Sequence, residues 1–186
     1  MKKILPLLIL PFIFLAGCSN DQTTIQIIRN PNLTFSFSPD NQWLAANYSI
    51  TNLSKVVVYP QDPSKPAQLY SRYSLQGTGK DDSGRTYQLV ITFDLSDSSQ
   101  LVGIYTPAYN SQRGLAQVQL YNLTNNNDLS VYNLCNDNLS TDVFQIQKQQ
   151  PQERIITGSF QMMLCNSRDS TQKLNIMSGS LTDLKY

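Results

Sequence analysis

Apolar and polar residues alternate through most of the chain beyond residue 31. Leu33, Phe35 and Phe37 alternate with Thr34 and Ser36, the period-two pattern of a strand with one buried face. Tyr87, Leu89, Ile91, Phe93 and Leu95 repeat it most clearly, separated by Gln88, Val90, Thr92 and Asp94. Ala116, Val118 and Leu120 follow the same rule, as do Phe144 and Ile146. From Ile156 one face continues through Gly158, Phe160, Met162 and Leu164, and Leu174 with Ile176 extend the theme. Val56 to Tyr59 and Leu69 to Gln76 are further strand candidates. Polar clusters at 94–99, 125–128 and 166–170 read as turns, and Asp81-Asp82-Ser83-Gly84 predicts a hairpin over 73–87. Pro60, Pro63 and Pro66 predict an extended, rigid loop. No helical periodicity of about ten residues is present. The pattern predicts an all-β domain, an antiparallel β-sandwich of about 8–10 short strands, with a flattened β-barrel as the alternative.

The N-terminus follows a different rule. Lys2 and Lys3 precede an apolar run from Ile4 to Leu15, broken only by Pro6 and Pro11. Such a run has the length of a secretory signal core and falls short of the ~20 residues that span a bilayer. It ends in Leu15-Ala16-Gly17-Cys18, which resembles the lipobox of bacterial lipoproteins. The resemblance implies lipid attachment to the Cys18 sulfur, cleavage after Gly17 and acylation of the new amine. By the same resemblance, Ser19 in place of an aspartate implies sorting to the outer membrane of a Gram-negative envelope. The organisation expected is a signal peptide over 1–17, a lipidated cysteine with tether over 18–31, and one β domain over 32–186.

Composition narrows the function. The chain has no histidine, which excludes Ser-His-Asp and Cys-His catalysis and histidine-ligated zinc. Its formal net charge of +1 provides no basic surplus for nucleic acid. With Cys18 lipidated, Cys135 and Cys165 form an even pair, read as a disulfide in an oxidising compartment, with free thiols or half a metal site as the alternatives. Acidic clusters at Asp81-Asp82, at Asp94 with Asp97, and from Asn136 to Asp142 contain oxygen donors for calcium. None has EF-hand spacing, and Asp and Asn favour turns for conformational reasons, so no metal site is assigned.

Aromatic side chains supply the remaining candidates. Trp43, Tyr105 and Tyr109 have the polar tips and broad faces that suit a ligand platform or an interface. Gly158-Ser159-Phe160, the final strand from Leu174 to Leu181 and Gly103-Ile104-Tyr105 are similar to motifs of an uncharacterised bacterial β-rich lipoprotein family. That resemblance implies fold and location and carries no activity. No Walker, G-x-S-x-G or dinucleotide motif gathers the acidic residues into a catalytic set. The function expected is a lipid-anchored, non-enzymatic binding or structural module, without cofactor, whose partner is an envelope protein or a glycan. The alternative is a lipocalin-like carrier holding a small apolar ligand in a barrel cavity.

Overall fold

The alternating runs become ten strands: β1 (Asn32–Ser38), β2 (Asn41–Val58), β3 (Gln68–Asp81), β4 (Thr86–Ser96), β5 (Gly103–Tyr105), β6 (Arg113–Asn122), β7 (Ser130–Leu134), β8 (Val143–Gln150), β9 (Ile155–Asn166) and β10 (Lys173–Lys185). The computed structural model describes residues 29–38, 41–58, 67–96, 100–110, 112–124, 130–135 and 142–186. Cys18, the proline loop at 60–66, the turn at 125–128 and the Asn136–Asn138 stretch lie outside these.

The strands hydrogen-bond in the order β10-β1-β2-β3-β4-β6-β7-β9, and β9 pairs again with β10, so eight antiparallel strands close into a barrel. The expected sandwich is therefore corrected to the barrel alternative. Length and coiling explain the difference. β2, β3 and β10 run 18, 14 and 13 residues, long enough for twist to carry the sheet round an axis. Where β2 bulges between Ala45 and Asn47, β3 offers glycine. A Cβ on Gly79 would stand 1.9 Å from the Leu44 carbonyl oxygen, and one on Gly77 would stand 2.5 Å from the Leu33 side chain. The sheet bends there because no side chain holds the strands apart.

The lumen is filled by the inward residues. Phe35 stacks on Trp43 with centroids 4.5 Å apart, and Phe93 meets Tyr105 and Phe144 at 5.0 Å each. Leu33, Leu75, Leu89, Ile91, Leu120 and Ile146 are fully buried around them. Most outward positions are polar: Thr34 pairs its hydroxyl with Ser180, and Ser36 with Ser178, across the β1–β10 ladder. Apolar inside and polar outside is the reverse of an outer-membrane barrel, whose lipid-facing band is apolar.

One stretch of wall is built in two pieces. β7 and β8 follow each other along the same edge of β9: Leu134 pairs with Leu164, and Val143 with Gln161. β5 then extends the sheet beyond β8. At the gap, the Met163 N–H donates to Asp142 Oδ1 at 2.8 Å, and the Met163 carbonyl accepts the Cys135 N–H at 3.2 Å. Backbone groups that a continuous strand would satisfy are thus supplied by a side chain and a loop residue. A disulfide joins Cys135 to Cys165 across the gap, with Cα atoms 5.0 Å apart, as the even pairing predicts.

Candidate functional site

The barrel has an upper end at the β3–β4 turn and a lower end where β1 begins. At the lower end a pocket of about 360 Å³ opens, lined by Tyr73, Leu95, Gln100, Leu101, Val102, Gln149, Pro151 and Tyr186. Alternation places these side chains. Tyr73 precedes buried Leu75 by two positions on β3, and Leu95 is the last inward residue of β4. The Tyr73 ring lies parallel to Phe93 at 5.4 Å, which fixes one wall of the pocket to the core.

The rim is held from three sides. Gln149 of β8 accepts the Leu101 N–H at 3.1 Å and donates through Nε2 to the Tyr186 hydroxyl at 2.6 Å. The Tyr105 hydroxyl donates to the Leu101 carbonyl at 2.6 Å, and Arg113 donates to the Gln100 carbonyl at 2.8 Å. The Arg113 guanidinium also lies 6.0 Å over the Tyr105 ring. Burial raises the Tyr105 phenol well above its ordinary range, with Arg113 opposing, so it stays protonated and keeps donating. Because the Tyr186 oxygen accepts from Gln149, its own proton is available to a ligand. The described lining side chains therefore offer apolar walls, amides and phenols, with no carboxylate, amine or thiol among them.

The three aromatic candidates are not brought together. Trp43 and Tyr105 are both 0% exposed, so the expectation that they face an external ligand is corrected. Each occupies an inward strand position, where a large apolar ring gains most from burial. Tyr105 still bears on the mouth through Leu101. Tyr109 lies on the outer wall, where its ring covers Gly114; a Cβ there would meet it at 2.3 Å. The Tyr109 hydroxyl donates to Asp94 Oδ2 at 2.5 Å. Arg72 grips the same carboxylate at 2.8 and 2.7 Å, and Tyr70 meets the Tyr109 ring edge-on at 5.7 Å. Burial, then the Asp94 hydrogen bond, holds the Tyr109 phenol far above its usual value. This cluster binds the 106–110 segment to the barrel wall. Tyr73, Gln149 and Tyr186, which frame the mouth, carry no sequence signal beyond their place in a strand or at its end.

Among the described residues, three of the acidic residues considered for calcium have other partners. Asp94 is engaged by Arg72, Asp142 by the Met163 N–H, and Asp81 by Arg85. Burial pushes the Asp81 carboxyl up, but the Arg85 N–H and Nε at 2.8 Å each and Asn41 at 3.3 Å outweigh it and hold the group below its ordinary value. A carboxyl lowered on folding contributes stability above its unfolded pKa and loses it as the pH falls through the folded value. The urea midpoint is therefore expected to fall below about pH 4. Asp81→Asn should flatten that part of the profile, and an unaltered acid limb in the variant would disprove the linkage.

Fold and mouth together define an antiparallel, eight-stranded barrel with a packed lumen and an amphipathic pocket at its lower end. No family model, curated protein or solved structure matches the chain.

Proposed function

We propose that the protein is a lipid-anchored envelope binding module whose lower mouth takes a small amphipathic molecule. The observation that carries this is the mouth pocket. Its ~360 Å³ falls within the range of small-molecule sites, about 300–1,000 Å³. Leu95, Leu101, Val102 and Pro151 suit the apolar part of such a ligand, and the Tyr186 hydroxyl with the Gln100 amide suits a polar group. The barrel agrees with the carrier alternative in shape, but its lumen is occupied by Phe35, Trp43, Phe93 and Phe144, so the ligand space moves from the centre to the mouth. The absence of histidine and the uncharged lining side chains both support binding over catalysis. The lipobox ending at Cys18 supports the anchor.

The test is a panel of amphiphiles, fatty acids, lysophospholipids and short glycolipids among them, measured by native mass spectrometry and thermal shift. At least one is expected to raise the melting temperature of the protein, and Val102→Trp, which fills the pocket, should abolish the rise. No stabilising compound in the panel, or an undiminished rise in Val102→Trp, would overturn the assignment.

A further inference from the structure

The β2–β3 hairpin does not stop with the rest of the lower rim. β1 begins at Asn32, two residues beyond Thr34, which pairs with Leu44 of β2. From there β2 continues to Val58, accompanied by β3 alone over Val57↔Leu69 and Val58↔Gln68, past the last β3–β4 pair at Tyr70↔Ser96. This extension is apolar where a solvated hairpin would be polar. Val57 and Leu69 are 56% and 47% exposed and stand opposite each other, on one face. Leu53, at the bulge between Asn52 and Ser54, is 52% exposed. They make up half of the six large apolar side chains exposed among the described residues. A hairpin stalk with three such residues needs a cover.

The place where the chain enters the barrel says what covers it. Arg29, the first described residue, lies at the lower end, where it pairs with Glu153 in the β8–β9 turn and with Asp183 near the end of β10 at 3.4 Å. Only ten residues lie between Cys18 and Arg29, a reach of about 40 Å at full extension. A lipid on Cys18 therefore tethers the barrel to the bilayer from its lower end, where the β2–β3 hairpin runs past both strands beside it, β1 and β4.

We infer that the β2–β3 hairpin seats Leu53, Val57 and Leu69 in the headgroup region of the membrane that holds the lipid anchor. The hairpin is then a second contact beside the anchor, of the kind a single attachment needs to fix orientation. This rests on the anchored reading above. The bilayer is preferred to a protein partner because the tether brings it to this rim in every copy of the molecule.

The test uses the mature, lipidated protein in phosphatidylethanolamine–phosphatidylglycerol vesicles. Single nitroxide labels go on Val57→Cys, Leu69→Cys and, at the upper end, Leu44→Cys, which is equally exposed. Collision rates with oxygen and with a water-soluble nickel chelate report depth. Labels at 57 and 69 should show at least a several-fold higher oxygen-to-nickel ratio than the label at 44. Equal, water-like ratios at all three positions in protein that floats with the vesicles would overturn the hairpin contact and leave the anchor standing. Protein that fails to float would overturn the anchor, and with it the reason for choosing a bilayer. Circular dichroism of each labelled variant confirms that the barrel is intact, and a label at Leu53→Cys, which is 52% exposed, replaces any that is not.

Discussion

Reduction of the Cys135–Cys165 bridge is expected to lower the unfolding free energy by about 3–4 kcal/mol. The bridge closes a loop of 30 residues, and the loss of that constraint on the unfolded chain gives the magnitude. Position adds a folded-state effect. The β7–β9 ladder has three paired positions, Tyr132↔Asn166, Asn133↔Cys165 and Leu134↔Leu164, whereas β2 and β3 share fourteen. The disulfide thus reinforces the shortest ladder in the closed ring. Urea unfolding of the oxidised protein beside the Cys135→Ala/Cys165→Ala variant measures the difference. Hydrogen exchange should show protection falling first at 130–134. A change under about 1 kcal/mol, with exchange there unaltered, would mean that the core alone holds the ring closed.

Arg72→Ala should cost about 3 kcal/mol. Asp94 is 0% exposed although it faces outward on β4, because Arg72, Tyr109 and the 106–110 segment cover it. Removing the guanidinium leaves a carboxylate enclosed with a phenol as its strongest remaining donor, and breaking a buried pair from one side typically costs about 3–5 kcal/mol. The Arg72 side chain is 32% exposed, so water can reach part of the vacated space and the lower end of that range applies. Tyr109→Phe removes one charge-assisted hydrogen bond and should cost about 1–2 kcal/mol. The double variant Arg72→Met/Asp94→Leu should recover most of the loss, since it leaves no unpaired charge behind. If Arg72→Ala alone proves neutral in urea, the pair is solvated and the 106–110 segment is held by its backbone bonds, Asn110 N–H to Arg113 and Leu115 N–H to Thr106.

The legible part of the sequence was its alternation, which marks one buried face and locates β1, β4, β6, β8, β9 and β10. Most of β2 was illegible for a physical reason. Asn41 to Lys55 is rich in Asn, Ser and Thr, and its bulges reset the alternation at Ala45/Asn47 and Asn52/Ser54, so no period survives long enough to read. Closure was illegible as well, because sandwich and barrel share the same in–out pattern. The choice depends on coil and strand length, which the inward glycines Gly77 and Gly79 decide only once Leu33 and Leu44 are known to lie against them. The cysteine pair was legible from its even count once Cys18 is set aside. The aromatic candidates misled because a ring at an inward position and a ring on a binding face look alike in one dimension. The mouth could not be read, since Tyr73, Leu101, Gln149 and Tyr186 meet only after the barrel closes.

Trp43 gives the protein a built-in optical reporter. It is the only tryptophan in the chain, enclosed against Phe35 in the β1–β2 part of the lumen, and its indole N–H finds no acceptor among the described residues. An indole in so apolar a setting emits at short wavelength and shifts red when water reaches it. Since Trp43 belongs to neither the mouth pocket nor the β2–β3 extension, its emission follows the closed ring as a whole and ignores ligand or lipid at the lower end. Fluorescence from the unmodified protein therefore separates loss of the barrel from events at its rim, without any introduced label.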